Sequence, residues 1–240
     1  MVSNNENYTT LKSYARTAGI LYLLIILLAG LSEGYIRSGI IVPGDAAATT
    51  DNILASKFLF RLGFVSDLIA FICDAAVAIL LYVLLKSVNK TVALIAAALR
   101  LIAHPAIGSI NLLNHISALQ VLNNPDLLTA FGREQLQQVA LQFLSAHKTG
   151  YLIAGAFFGV HCLLLGYLLF KSELFPKILG VLIFMASIGY LTESFGSSLF
   201  PEYSGVFSMI VVIPAVIAEF SLCLWLLIKG IKNTDLKVAV

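Results

Sequence analysis

The sequence predicts an all-α fold, a polytopic membrane helical bundle of six transmembrane helices, and three observations carry that reading. Of 240 residues, 59% are hydrophobic and 12% charged, and the mean hydropathy is +0.93, whereas soluble domains are only about 45–50% apolar. Apolar stretches long enough to cross a bilayer, about 20 residues each, recur six times, near 14–36, 58–85, 91–122, 135–170, 176–199 and 205–229. Lysines and arginines gather at alternate ends of these stretches. No remaining segment is long enough to fold alone, so residues 1–240 form a single integral membrane domain. The net charge of +2, with basic residues at span ends and not in a patch, excludes a nucleic-acid partner.

The first span follows Lys12 and Arg16 without a small-x-small cleavage pattern, and reads as an uncleaved helix and not a signal peptide. The segment from Arg37 to Asn52 holds Pro43-Gly44-Asp45 and a run of small residues, and is expected to be a loop. Spans 2 and 3 meet across the short Lys86–Lys90 link, spans 4 and 5 across Lys171–Pro176, which makes each pair antiparallel neighbours. Pro176 suits the first turn of span 5. Asn124-Pro125-Asp126 has the form of a capped helix start. Past it, Leu136, Val139, Ala140, Phe143 and Leu144 repeat with helical period, so span 4 begins as an amphipathic extension outside the bilayer. Gly155-x-x-x-Gly159 on span 4 suits close helix packing. Cys73, Cys162 and Cys223 lie in three different apolar spans as small hydrophobes, and no disulfide is expected.

Orientation follows from the basic residues. Lys12, Arg16, Lys86, Lys90, Lys171, Lys177, Lys229, Lys232 and Lys237 fall on one side. On the other, Arg37, Lys57, Arg61, Arg133 and Lys148 are offset by Glu33, Asp45, Asp51, Asp126, Glu134 and Glu202. Both termini are therefore expected to be cytoplasmic, with the protein in the plasma (inner) membrane.

The polar residues inside the spans carry the functional question. Arg100, His104, Asn111, Asn114 and His115 fall within about 100° of one face of span 3, at about 100° per residue. That face must turn inward, because charged side chains at membrane depth need partners or water. At about 1.5 Å per residue from the cytoplasmic lysines, Asp74, Arg100, His104, His161 and Glu219 share a level about 15–21 Å in. Asp67, Glu193, Asn111 and Glu33 lie further out, at about 24–31 Å. Arg100 is open to pairing with Asp74, with Glu219 or with neither. Pro105 and Pro214 mark kinks in spans 3 and 6.

Three chemistries fit these residues. The first is binding or transport of a small polar or amphiphilic molecule in a cavity lined by Glu33, Asp67, Asn111, Tyr190 and Glu193, with Arg100 at its floor and proton coupling through Asp74 and Glu219. The second is a metal-dependent hydrolase of a lipid-like substrate, with zinc on His104, His161 and Asp74 or Asp67. It lacks any tight ligand-spacing motif and has Arg100 opposing the cation. The third is b-type haem, pairing His104 with His161 and His115 with His147. Against these stands a non-enzymatic scaffold in which Asp74, Arg100 and Glu219 form a structural ion cluster. No motif names an enzyme or a catalytic residue, and no cofactor is predicted, with zinc and haem as alternatives. The expected partners are the lipid bilayer and a small-molecule ligand, with a homo-oligomer left open.

Three segments carry a family likeness: Tyr14-Ala15-Arg16-Thr17-Ala18-Gly19-Ile20-Leu21-Tyr22-Leu23; Leu81-Tyr82-Val83-Leu84-Leu85-Lys86-Ser87-Val88-Asn89-Lys90; and His161 through Phe195, with Phe175-Pro176-Lys177-Ile178-Leu179-Gly180 and Gly189-Tyr190-Leu191 inside it. In these residues, over nearly its whole length, the chain resembles the bacterial integral membrane family catalogued as domain of unknown function 4386. The resemblance implies a multi-pass membrane protein and supplies no activity.

Overall fold

The structure, a computed structural model, describes residues 2–232. Lys237, counted above among the basic residues, lies outside the described residues. Among the described residues there are eight helices and no strand. Helix α1 begins as Val2–Ala29 and continues through a π-helical segment, Gly30–Arg37, to Ser38–Ile40. It is followed by α2 (Ala46–Ala55) and α3 (Lys57–Leu85). Helix α4 runs as Lys90–Leu101, a π-helical Ile102–Gly108 and Ser109–Leu122. Then come α5 (Pro125–Phe131), α6 (Arg133–Lys171), α7 (Lys177–Leu199) and α8 (Ser204–Ile228). Six of these (α1, α3, α4, α6, α7 and α8) are long and apolar enough to cross a membrane.

Local chemistry sets the helix ends. Asn89 accepts from the Val92 N–H at 3.0 Å, and Asn124 accepts from the Asp126 and Leu127 N–H groups ahead of Pro125. These caps satisfy donors that the first turn leaves free. Pro176 sits one residue earlier than expected, as the extended residue before α7. The expected loop from Arg37 to Asn52 is only partly one. Helix α1 persists to Ile40, Gly44 turns the chain at φ 79°, and Asp45 caps α2 by accepting from Ala48 at 2.9 Å.

The six long helices close a ring in which each packs on its neighbours: α1 on α3, α3 on α4, α4 on α6, α6 on α7, α7 on α8, and α8 back on α1. Small residues bring the backbones together. A Cβ on Gly180 of α7 would sit 2.6 Å from the Gly166 carbonyl of α6, and Gly155 and Gly159 face Ser194 and Leu191 along the same seam. Without a hydrophobic drive between helices in lipid, such close approach supplies the packing energy. The Lys232 N–H donates to the Leu174 carbonyl at 2.9 Å and Gly230 rests against Lys12. The C-terminal end of the described chain therefore meets both the α6–α7 turn and Lys12 of α1.

Inside the ring, apolar and polar layers alternate. Leu81, Leu84, Leu165, Leu168 and Leu222 fill the end near the chain termini. Phe71, Ala70 and Leu112 form a thin middle layer. Ile36, Ile40, Ile53, Phe60, Leu119 and Leu144 seal the far end. Two polar layers lie between these three. The free cysteines Cys73, Cys162 and Cys223 are buried on α3, α6 and α8.

Candidate functional site

The inner polar layer is built on Arg100, which is 1% exposed. Its Nε and Nη2 both donate to Asp74 Oδ1, at 2.9 and 2.5 Å. Its Nη1 donates to His161 Nε2 at 3.1 Å, while His161 Nδ1–H donates to the Ala96 carbonyl at 2.8 Å. That carbonyl fixes the tautomer in which Nε2 offers a lone pair to Arg100. The guanidinium also lies over the rings of Tyr22, at 5.0 Å, and Phe158, at 5.2 Å, where the ring faces attract it.

Phe158 links the rest of the layer. Its ring centroid is 4.8 Å from that of His104, 5.5 Å from His161 and 5.1 Å from Tyr190. The Tyr190 hydroxyl donates to Glu219 Oε1. All six long helices thus contribute to one level: Tyr22 from α1, Asp74 from α3, Arg100 and His104 from α4, Phe158 and His161 from α6, Tyr190 from α7 and Glu219 from α8. Of the pairings open to Arg100, the structure takes Asp74, and Glu219 bonds Tyr190 instead. Asp74 Oδ2 is buried and has no hydrogen-bond partner among the described residues. His104, 24% exposed, brings Nδ1 to 3.5 Å from it, which is too long for a hydrogen bond.

The outer layer centres on Arg37, 3% exposed, whereas the charge pattern of the sequence places it among the basic residues outside the membrane. Its Nη1 donates to Asp67 Oδ2 at 2.7 Å, its Nε to Glu33 at 2.5 Å and its Nη2 to Ser32 Oγ at 3.1 Å. Ser32 and Tyr151 also donate to Asp67. Next to this group Asn111 and His147 exchange bonds, Asn111 Nδ2 to the His147 carbonyl at 2.7 Å and His147 Nδ1–H to the Asn111 carbonyl at 3.0 Å. His115 gives Nε2–H to the Phe60 carbonyl at 2.9 Å and stacks on Phe60 with centroids 3.9 Å apart. Glu33 itself is 69% exposed. Glu193 is half-buried on α7 and has no ion-pair partner among the described residues.

The ten sequence-named residues therefore do not line one cavity. They divide into an inner set (Arg100, Asp74, His104, His161, Tyr190 and Glu219) and an outer set (Asp67, Asn111 and Glu33), with Glu193 apart. Sequence reasoning missed Arg37, Ser32, Tyr22, Tyr151 and Phe158. The one available signal was Glu33 four residues ahead of Arg37 on a helix, the spacing of an ion pair. Zinc does not fit the inner set as it stands: both His161 ring nitrogens are engaged, one of them by a guanidinium. A haem does not fit the outer pair, because the His115 and His147 rings meet edge to face at 5.5 Å with no slot for a macrocycle.

Residues 17–230 match the family described as "Domain of unknown function (DUF4386)". A protein of Archaeoglobus fulgidus described as uncharacterized is 32% identical over 189 residues, covering 77% of this chain and 96% of its own length. No solved structure matches the chain.

Proposed function

The chain belongs to the family of unknown function DUF4386, and since that description names no activity, we propose a function from the inner layer itself: binding, and by extension transport, of a small polar or amphiphilic molecule that presents hydrogen-bond donors. One observation carries this reading. Asp74 Oδ2 is a buried acceptor without a hydrogen-bond partner among the described residues, beside a partly exposed His104 and at a level to which every long helix contributes. Leaving such an oxygen unpaired costs about 1–3 kcal/mol, and a ligand N–H or O–H would recover it. Arg100 is already satisfied within the chain, so the ligand favoured is a donor, an ammonium or a hydroxyl compound, and not the anion that a lone arginine would suggest.

Thermal unfolding of the full chain in lipid nanodiscs, across a panel of primary ammonium ions, polyols, carboxylates and phosphates, tests this. A ligand at 100 times its Kd stabilises by about 2.7 kcal/mol. The expected result is a concentration-dependent rise for donor-bearing compounds that weakens in Glu219→Gln. Unchanged melting across the panel would refute it and leave the scaffold reading, which one feature favours: both buried arginines find their counter-ions inside the chain.

The setting proposed is the plasma membrane, with both chain ends in the cytoplasm, from the basic residues at that end of the bundle. Reporter fusions at each terminus that are active only on one side of the membrane check the orientation. A C-terminal reporter active outside would reverse it.

A further inference from the structure

Resting on the ligand site above, we propose that the inner layer exchanges its ligand for a proton carried by His104. Asp74 spends one oxygen on Arg100 and keeps the other, Oδ2, without a partner. His104 Nδ1 waits 3.5 Å from that oxygen, between the Phe71 and Phe158 rings at 5.8 and 4.8 Å. It stands on the π-helical turn of α4, next to Pro105. It is also partly open to its surroundings, while Arg100, Asp74 and His161 are sealed.

The charged and titratable groups around His104 come from every long helix. Asp74 stands on α3 and Arg100 on its own helix. His161 on α6 has its lone pair committed to Arg100. Glu219 on α8 is held by Tyr190 on α7, and Tyr22 on α1 lies under the guanidinium. Arg100 and Asp74 neutralise each other, which leaves Oδ2 as a buried acceptor free to take a further N–H.

Two cations can supply that N–H at the same oxygen. A protonated His104 donates Nδ1–H to Asp74 Oδ2, the proton having come from water. A ligand ammonium donates its own N–H to Oδ2, and His104 then returns its proton to water. Both together would leave the layer with an excess positive charge in a buried site and only one oxygen to share, so each excludes the other. One cation enters, one proton leaves, and the layer's charge is unchanged.

The test is isothermal titration of the full chain in nanodiscs with n-butylammonium, in two buffers of different ionisation enthalpy, over about pH 5 to 8. One proton released per bound cation at the acid end of that range is expected, with Kd rising about tenfold per pH unit there. His104→Gln is expected to bind without proton release and without pH dependence. Binding with no proton released, or unchanged proton release in His104→Gln, overturns the exchange. Nitrogen NMR of ¹⁵N-histidine protein without ligand separates the two ideas. The exchange needs an imidazolium at His104 before the cation binds, and a ring that stays neutral throughout while butylammonium binds overturns the exchange alone. No butylammonium binding at any pH overturns the binding site, and the exchange with it.

Discussion

Replacing Arg100 by leucine removes three hydrogen bonds, two to Asp74 and one to His161, and strands a carboxylate that is 2% exposed. Breaking a buried pair from one side costs about 3–5 kcal/mol, because the remaining charge has lost its compensation. The pair's net worth is smaller, since desolvating two ions offsets much of their attraction. Arg100→Leu is therefore expected to melt on the order of 10 °C lower, and Arg100→Leu with Asp74→Leu to recover most of that loss. Arg100→Lys keeps the charge but cannot span both Asp74 and His161, so it should fall between Arg100→Leu and the native protein. Melting in nanodiscs by circular dichroism, with the three variants side by side, is the assay. Equal melting of Arg100→Leu and the native chain would refute the reasoning, as would a double variant no more stable than Arg100→Leu.

Three further outcomes follow from close contacts. Gly180→Ala puts a methyl 2.6 Å from backbone atoms of α6 that cannot swing aside; a loss at or above about 1–3 kcal/mol is expected, and an unchanged melting curve would show that the seam is loose. Gly150→Ala places its Cβ 2.2 Å from the Asn111 side chain. It should break the Asn111–His147 exchange at a cost of about 1–3 kcal/mol, visible as a changed His147 ring-nitrogen signal in NMR. Arg37→Gln should strand Asp67 and lose about 3–5 kcal/mol, whereas Asp67→Asn with Arg37→Gln should lose less; equal melting of the single and double variants would count against the pair.

The spans were legible in the sequence because hydropathy and capping are local. Asn124 and Pro125 start α5 as their side chain and ring dictate, and the polar stripe of α4 faces inward because lipid gives Arg100 no partner. The partner itself was not legible, since Asp74 and Glu219 stand at similar depth and only the ring order of helices decides between them. Arg37 was misplaced for a different reason. The apolar run ends at residue 36, so Arg37 reads as a flanking charge, whereas the helix continues past it and the π-helical Gly30–Arg37, with more residues per turn, has Ser32, Ile36 and Arg37 buried together. Helix α2 was hidden because its small residues carry little hydropathy signal, although Asp45 three residues ahead of Ala48 was a readable cap.

The two wide turns differ in what holds them open. In α4 the cause is covalent: Pro105 has no N–H to offer the Leu101 carbonyl, and its ring crowds that carbonyl in a regular helix. The bulge there persists whatever surrounds it. In α1 no proline lies between Gly30 and Arg37, and what ties the bulge to the interior is the grip of Arg37 on Asp67 and Ser32. Weaken that grip and α1 is free to wind back to an ordinary helix, carrying the arginine away from the interior. One segment is thus bent by composition and the other by tension, and amide exchange should tell them apart: steady protection around Pro105, and protection over Gly30–Arg37 that rises and falls with the charge on Asp67.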